Sequence, residues 1–235
     1  MMNKVLKRLL LAASLCCLVA TANAAPFDDA TAAQDRGDYA QALKILRPLA
    51  AQGDAFAQFN IGEMYGTGEG VIQDFKEALK WYRLAAAQGN ATAQNRIGLM
   101  YHNGYGVILD YKEEMKWYRL AAAQGNATAQ LNIGEMYRYG YGVIQDYKEA
   151  LKWYRLAANQ GDARAQYHLG GMYDFGYGVT QDYIRAHMWY NLSSSAGDAA
   201  GAVLRDMAAK GLTPQQIEKA QDMARKCQER NFKGC

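Results

Sequence analysis

Residues 126–161 read NATAQLNIGEMYRYGYGVIQDYKEALKWYRLAANQG, and close variants of the same phrase stand at 54–89, 90–125 and 162–197. Trp81, Trp117, Trp153 and Trp189 mark a period of 36 residues, and Gly53, Gly89, Gly125, Gly161 and Gly197 mark it again. A repeat of this length is one supersecondary unit that cannot bury its apolar face alone and therefore stacks on copies of itself. The expectation is a scaffold for binding rather than a catalyst.

The first copy shows why each unit should be two antiparallel helices. Asp54 is placed to cap helix A, in which Ala57, Ile61, Met64 and Tyr65 recur at three- and four-residue steps. The stretch Gly66-Thr67-Gly68-Glu69-Gly70 stops that helix. Asp74 and Glu77 have the N-cap and N3 spacing of a capping box, and Phe75, Ala78, Leu79, Tyr82, Ala85 and Ala86 form the apolar face of helix B. Gly89 follows helix B where a left-handed residue is wanted. Helix A also repeats a glycine at Gly62, Gly98, Gly134 and Gly170. A mid-helix glycine costs about 1 kcal/mol relative to alanine, so its repetition predicts that a helix B ring, the Trp or the following Tyr, lies against bare backbone.

These motifs carry a family resemblance. Ala127-Thr128-Ala129-Gln130, Ile133-Gly134-Glu135-Met136-Tyr137, Gly140-Tyr141-Gly142-Val143 and Trp153-Tyr154 through Gly161 resemble the Sel-one-like repeat (SLR), a relative of the tetratricopeptide repeat. The resemblance implies an all-α fold, an α/α superhelical solenoid of antiparallel helix pairs, with helix A lining the concave face. It also implies a protein-binding adaptor, of a kind exported by bacteria and linked to host contact, envelope assembly or signalling.

Ahead of the repeats, Lys4, Lys7 and Arg8, the apolar run 9–20 and Ala22-Asn23-Ala24 have the three parts of a secretory signal, so residues 1–24 are expected to be removed. The apolar run is shorter than the roughly 20 residues that a membrane-spanning helix needs. Leu15 and Cys16 stand where a lipoprotein signal requires a small residue before its cysteine, so no lipid anchor is expected. Without the three basic residues of the signal, 26 Lys plus Arg become 23, against 23 Asp plus Glu. A net charge of zero lacks the electrostatic footprint of a nucleic-acid binder. Only Cys227 and Cys235 remain in the mature chain, and an oxidising periplasmic or extracellular location permits one disulfide between them.

The ends depart from the repeat. Residues 25–53 read as a capping half-unit, with Pro48 expected to kink its helix, and 198–235 as a C-terminal helical cap opened by Thr213-Pro214-Gln215-Gln216. In the fourth copy, Ile184-Arg185, His187-Met188 and Ser193-Ser194-Ser195 replace the usual residues, as expected of a terminal unit that presents a polar outer face.

Copies two and three differ at nine of 36 positions, five of them on helix A or just past it. Those five columns have offsets of zero, one, four, seven and eight, which lie along one helical stripe. From this stripe Phe59, Leu131, Tyr139, Tyr167 and Phe175 are expected to anchor a protein or peptide, with Arg96, Arg138 and Glu135 supplying polar contacts; aromatic and arginine side chains often dominate such interfaces.

Catalysis finds no matching pattern. The mature chain's serines, Ser193 to Ser195, have no lysine three residues on, and neither Ser-Asp-Asn nor Lys-Thr-Gly occurs. His102, His168 and His187 occupy different unit positions, without metal-ligand spacing. No catalytic residue, metal or cofactor is therefore expected. A β-lactam or peptidoglycan binder or hydrolase of the cell wall is the alternative to the adaptor.

Overall fold

The computed structural model describes residues 27–235, which are helical and contain no strand. The expected signal segment, with Cys16 and Cys17, lies outside them. The helices are α1 (27–35), α2 (Tyr39–Ala51), α3 (Ala55–Thr67), α4 (Phe75–Ala87), α5 (Ala91–Asn103), α6 (Tyr111–Ala123), α7 (Ala127–Tyr139), α8 (Tyr147–Ala158), α9 (Ala163–Phe175), α10 (Tyr183–Ser195), α11 (Ala199–Ala209) and α12 (Pro214–Glu229). They fall into two compact units divided after Ala93.

In the first unit, α2 packs on α3 and α3 on α4, around a core of Leu46, Ile61 and Met64 against which Trp81 lies half-buried. Helix α2 runs on through Pro48 to Ala51. In the second unit α6 packs on α7, α7 on α8, α8 on α9 and α9 on α10, with Leu131, Tyr154, Leu169 and Trp189 in its core.

The local rules of the repeat are met by named contacts. Asp54, Asn126 and Asp162 cap the A helices through the backbone N–H three residues on, at 2.8–2.9 Å. Asp74, Asp110 and Asp146 cap the B helices. The reciprocal half of the expected capping box is replaced. The N–H of Asp74 donates to the Tyr65 carbonyl (2.9 Å), leaving Glu77 to pair with Lys80 at 2.6 Å. Asp146 likewise donates to Tyr137 and Asp182 to Tyr173, both at 2.9 Å, so each cap also ties helix B to helix A. Glutamines add a second tie: Gln88 donates to Gln58, Gln124 to Gln94 and Gln160 to Gln130, each at 2.8 Å.

The ring against the helix A glycine is the tyrosine. A Cβ added to Gly98 would lie 2.5 Å from Tyr118 ring carbons, and one added to Gly134 would lie 2.6 Å from those of Tyr154. These tyrosines are buried, whereas of the four tryptophans only Trp189 is. The loop glycines serve packing as well as turning. A Cβ on Gly142 would meet Tyr111 Cβ at 2.6 Å, so the loop of one repeat sits directly on the first turn of the preceding helix B.

The fourth repeat corrects the polar-face expectation. His187, Met188 and Ser193 are buried, because α11 and α12 pack on α10. Met188 occupies the column of the exposed Lys80 and Lys152, so its divergence matches a covered face rather than a wetted one. Cys227 and Cys235 form a disulfide with a Cα–Cα separation of 5.6 Å, holding the tail to the end of α12.

Candidate binding site

The structure separates the stripe into two kinds of position. Leu131, expected at the surface, is fully buried (0% exposed) in the core with Ala150 and Leu151. Its column is a packing column: Phe59 and Tyr167 are half-buried, Phe59 tilted against Tyr82 at 5.9 Å and Tyr167 against Tyr190 at 6.1 Å. The cause is the pitch of the helix, which turns offset zero toward neighbouring helices while offset eight, two turns later, emerges at the helix end.

Offset eight is exposed in all four repeats and aromatic in the third and fourth. Tyr139 is 50% and Phe175 63% exposed, yet neither is loose. Tyr139 stacks on Tyr141 (5.6 Å, 28°) and Phe175 on Tyr177 (5.6 Å, 27°). Tyr141 stacks in turn on Tyr111 and Tyr177 on Tyr147, the tyrosines that open α6 and α8. Arg138 lies over the Tyr139 ring at 5.1 Å from its centroid, a cation–π contact.

Beside Tyr139 a cavity of about 130 Å³ opens between α5, α6 and α7. Its deepest polar group is Glu114, which stands on α6 where the other repeats hold Ala78, Ala150 and Ala186, and whose side chain is 2% exposed. His102 Nδ1 meets Glu114 Oε1 at 2.9 Å, while Glu114 Oε2 has no hydrogen-bond partner in the protein. Tyr118, Tyr139 and Tyr141 line the walls, and Asn132 and Glu135 enter from α7.

The two carboxyls are driven apart. Burial pushes Glu114 up to about 7, with His102 and the Tyr118 hydroxyl acting against the shift and the Glu135 charge adding to it. Burial also works to raise Glu135, but the His168 hydrogen bond and nearby positive groups hold it below the usual carboxylate range. Arg138 Nη1 lies 2.8 Å from His168 Nδ1, and His168 Nε2 lies 3.3 Å from Glu135. A guanidinium can only donate, so Nδ1 accepts and the N–H at Nε2 faces Glu135.

Thus Glu135 and Tyr139 share the cavity, and Arg138 adjoins it through His168. Half-buried Arg96 is on α5 outside the lining, while Tyr167 contacts His168 and Phe175 belongs to the next stacked pair. Asp174, in the Arg138 column of the fourth repeat, accepts from the Tyr190 hydroxyl at 3.3 Å. Glu114 lies outside the stripe, and His102, which shares the Arg138 column of the stripe, is not among its expected anchors. The signal for Glu114 is a lone acid in a column that is otherwise alanine. Among the described residues no helix is long and apolar enough to cross a membrane, and no group of three or more His, Cys, Asp or Glu could hold a metal.

The Sel1 repeat profile matches the chain at 55–90, 91–126, 127–162 and 163–198. Among solved structures, the chain is similar to c5321, a protective antigen present in uropathogenic Escherichia coli strains displaying an SLR fold, at 37% identity and a TM-score of 0.69. That similarity covers 83% of this chain but 42% of the antigen. A Sel1 repeat protein from Oxalobacter formigenes is similar at 30% identity and a TM-score of 0.72, over 85% of this chain and 99% of that one. Immunity protein Pa5087 from Pseudomonas aeruginosa shares the fold at 22% identity and a TM-score of 0.52, over 79% of this chain and 73% of that one. No curated protein matches the sequence. With four profile matches spanning more than half of its length, and helix pairs of the SLR type, this chain belongs to the Sel1 repeat family.

Proposed function

We propose that this chain is an exported, non-enzymatic adaptor that binds a protein or peptide on the helix A side of residues 94–235. Sel1 repeats usually mediate protein interactions and are generally non-catalytic scaffolds. The observation that carries the reading here is the pair of exposed stacked aromatics, Tyr139 on Tyr141 and Phe175 on Tyr177, at the same position of successive repeats. Rings already ordered by stacking lose little side-chain entropy on binding and supply large apolar contact area, the properties of interface anchors. Arg138 lies over Tyr139 and Glu135 lines the cavity beside it, while Arg96 and Tyr167 belong to the same stripe farther along and Leu131 supports it from the core. The positive start, apolar run and small-x-small site of residues 1–24 support export to the periplasm or beyond. The likeness to a protective antigen of uropathogenic Escherichia coli agrees with a role at the envelope or in host contact.

The test is affinity capture from envelope and culture fractions with residues 25–235, beside a Tyr139→Ala, Phe175→Ala double variant of equal helicity. A protein retained by the parent and lost by the variant is the expected result. Equal capture by both chains, or capture of nothing, would remove the helix A surface from consideration.

A further inference from the structure

The Glu114 cavity has a chemistry that the packing of the repeats does not require. Ala78, Ala150 and Ala186 fill the same helix B column elsewhere and are buried, so the fold needs only a methyl group there. Glutamate at this position puts a carboxylate beneath a cavity walled by tyrosines and leaves Oε2 without a hydrogen-bond partner in the protein. Buried polar atoms are nearly always satisfied in folded proteins, and an orphaned charged group is costly unless a ligand completes it.

From this geometry we infer that the cavity binds an organic monocation, an alkylammonium or guanidinium group, with Glu114 at its floor, Glu135 at its mouth and the rings of Tyr118, Tyr139 and Tyr141 around it. Three observations converge on that class. The lining holds two carboxyls and, among the described residues, no Lys or Arg; His102 is its basic group. The stacked rings of Tyr139 and Tyr141 exclude water from the two carboxyls, and a carboxylate attracts a cation more strongly where water is excluded. The volume, about 130 Å³, corresponds to about four waters at roughly 30 Å³ each, which is room for an ammonium and a short alkyl stem. The position of Glu135 is itself held, by the His168 and Arg138 contacts described above, so the mouth carboxylate is preorganised rather than free to turn away.

On the adaptor reading, the cation is a lysine or arginine side chain of the bound protein, inserted beside Tyr139. The inference rests on that reading for the source of the cation and not for its chemistry. The experiment therefore uses small probes with the full mature chain at pH 8 and low salt: n-butylammonium, n-butylguanidinium and Nα-acetyl-lysinamide, against 1-butanol and butyrate, followed by calorimetry and by tyrosine ring shifts in NMR. The three cations are expected to bind and to move Tyr139 and Tyr141 resonances, with 1-butanol and butyrate at least tenfold weaker. Glu114→Ala restores the residue of the sister repeats and so keeps the fold; it and Glu135→Gln should each lower cation affinity at least tenfold. Equal binding of 1-butanol, unchanged affinity in Glu114→Ala, or no binding of any cation would overturn the site. Binding of n-butylammonium without Nα-acetyl-lysinamide would overturn the side-chain source. A partner captured on Tyr139 and Phe175 with no cation binding would sink this inference and leave the adaptor standing; cation binding with no captured partner would do the reverse.

Discussion

Helices α6 and α8 are the same element of successive repeats, and over their shared twelve residues they differ only at Glu114 against Ala150 and Met115 against Leu151. Both present a buried tyrosine to a helix A glycine, both start on an aspartate cap, and both set a glutamate and lysine pair on the outer face. Yet α8 closes its column with a methyl group, while α6 places a carboxylate there and, with α5 and α7, leaves a cavity open. One substitution on an otherwise shared frame is enough to turn a packing position into a chemical one.

Moving the acid to the other repeat should give the largest effect. Ala150→Glu would bury a carboxylate at the position Glu114 holds in the preceding repeat, where the counterpart of His102 is Arg138, already engaged with His168. An uncompensated buried charge costs about 3–5 kcal/mol, read as a lowered urea midpoint at pH 8. A loss near zero would mean that Arg138 can turn to pair with it and that α8 is as adaptable as α6.

Next in size is the contrast between Leu131 and Tyr139, eight residues apart on α7. Leu131→Ala should cost about 2–5 kcal/mol as a buried truncation, whereas Tyr139→Ala should cost about 1 kcal/mol, the scale of its stacking on Tyr141 and its contact with Arg138. Urea unfolding of both variants measures this directly. Similar losses would return Leu131 to the surface or draw Tyr139 into the core.

The shared frame predicts a matched pair. Gly98→Ala and Gly134→Ala drive a methyl group into a buried tyrosine ring, an overpacking of about 1–3 kcal/mol, against which the gain in helix propensity is about 1 kcal/mol. Both should destabilise to a similar degree. A large difference in calorimetric Tm would show that the α6 ring has the greater freedom to move, as the adjoining cavity allows.

Glu114→Ala should give the smallest change, and its sign depends on pH. A carboxyl whose folded pKa is raised contributes stability that is fully present below its ordinary pKa and is lost as pH rises through the folded value, here about 7. The groups facing Glu114 are His102 from α5, Tyr118 on its own helix, and Glu135 and Tyr139 from α7, with Tyr141 from the loop. The variant should therefore gain about 1–2 kcal/mol relative to the parent at pH 8, the scale of relieving an unsatisfied buried group, and gain little at pH 5. Parallel stability curves of parent and variant between those pH values would argue that Glu114 stays protonated, or charged, throughout.

Much of this was open to inspection in the chain. Asp and Asn before each apolar run, glycine after it, and a helix B ring against the mid-helix glycine are local or strictly periodic signals with counterparts in the structure, while the choice of Tyr over Trp for that ring came from packing. The stripe was legible only in part. Sequence variation between copies two and three marked Tyr139, Arg138 and Glu135, but it also marked Leu131, because a column that packs between neighbouring helices varies as its neighbours do. Glu114 was visible as one of the nine differences, but its meaning depends on the depth of its column, and depth is a property of three helices at once.

By itself the sequence determined the helix pairs, their caps and the repeat frame, because these follow from spacings shorter than one unit and from a pattern repeated four times. Tertiary structure alone decided which side of each helix is wet, why His187 and Met188 are buried, and that a lone glutamate meets a histidine from another helix at the floor of a walled cavity. Burial and electrostatic environment arise from contacts between elements distant in the chain, and a linear pattern records the residues that make such contacts without recording the water that is excluded from them.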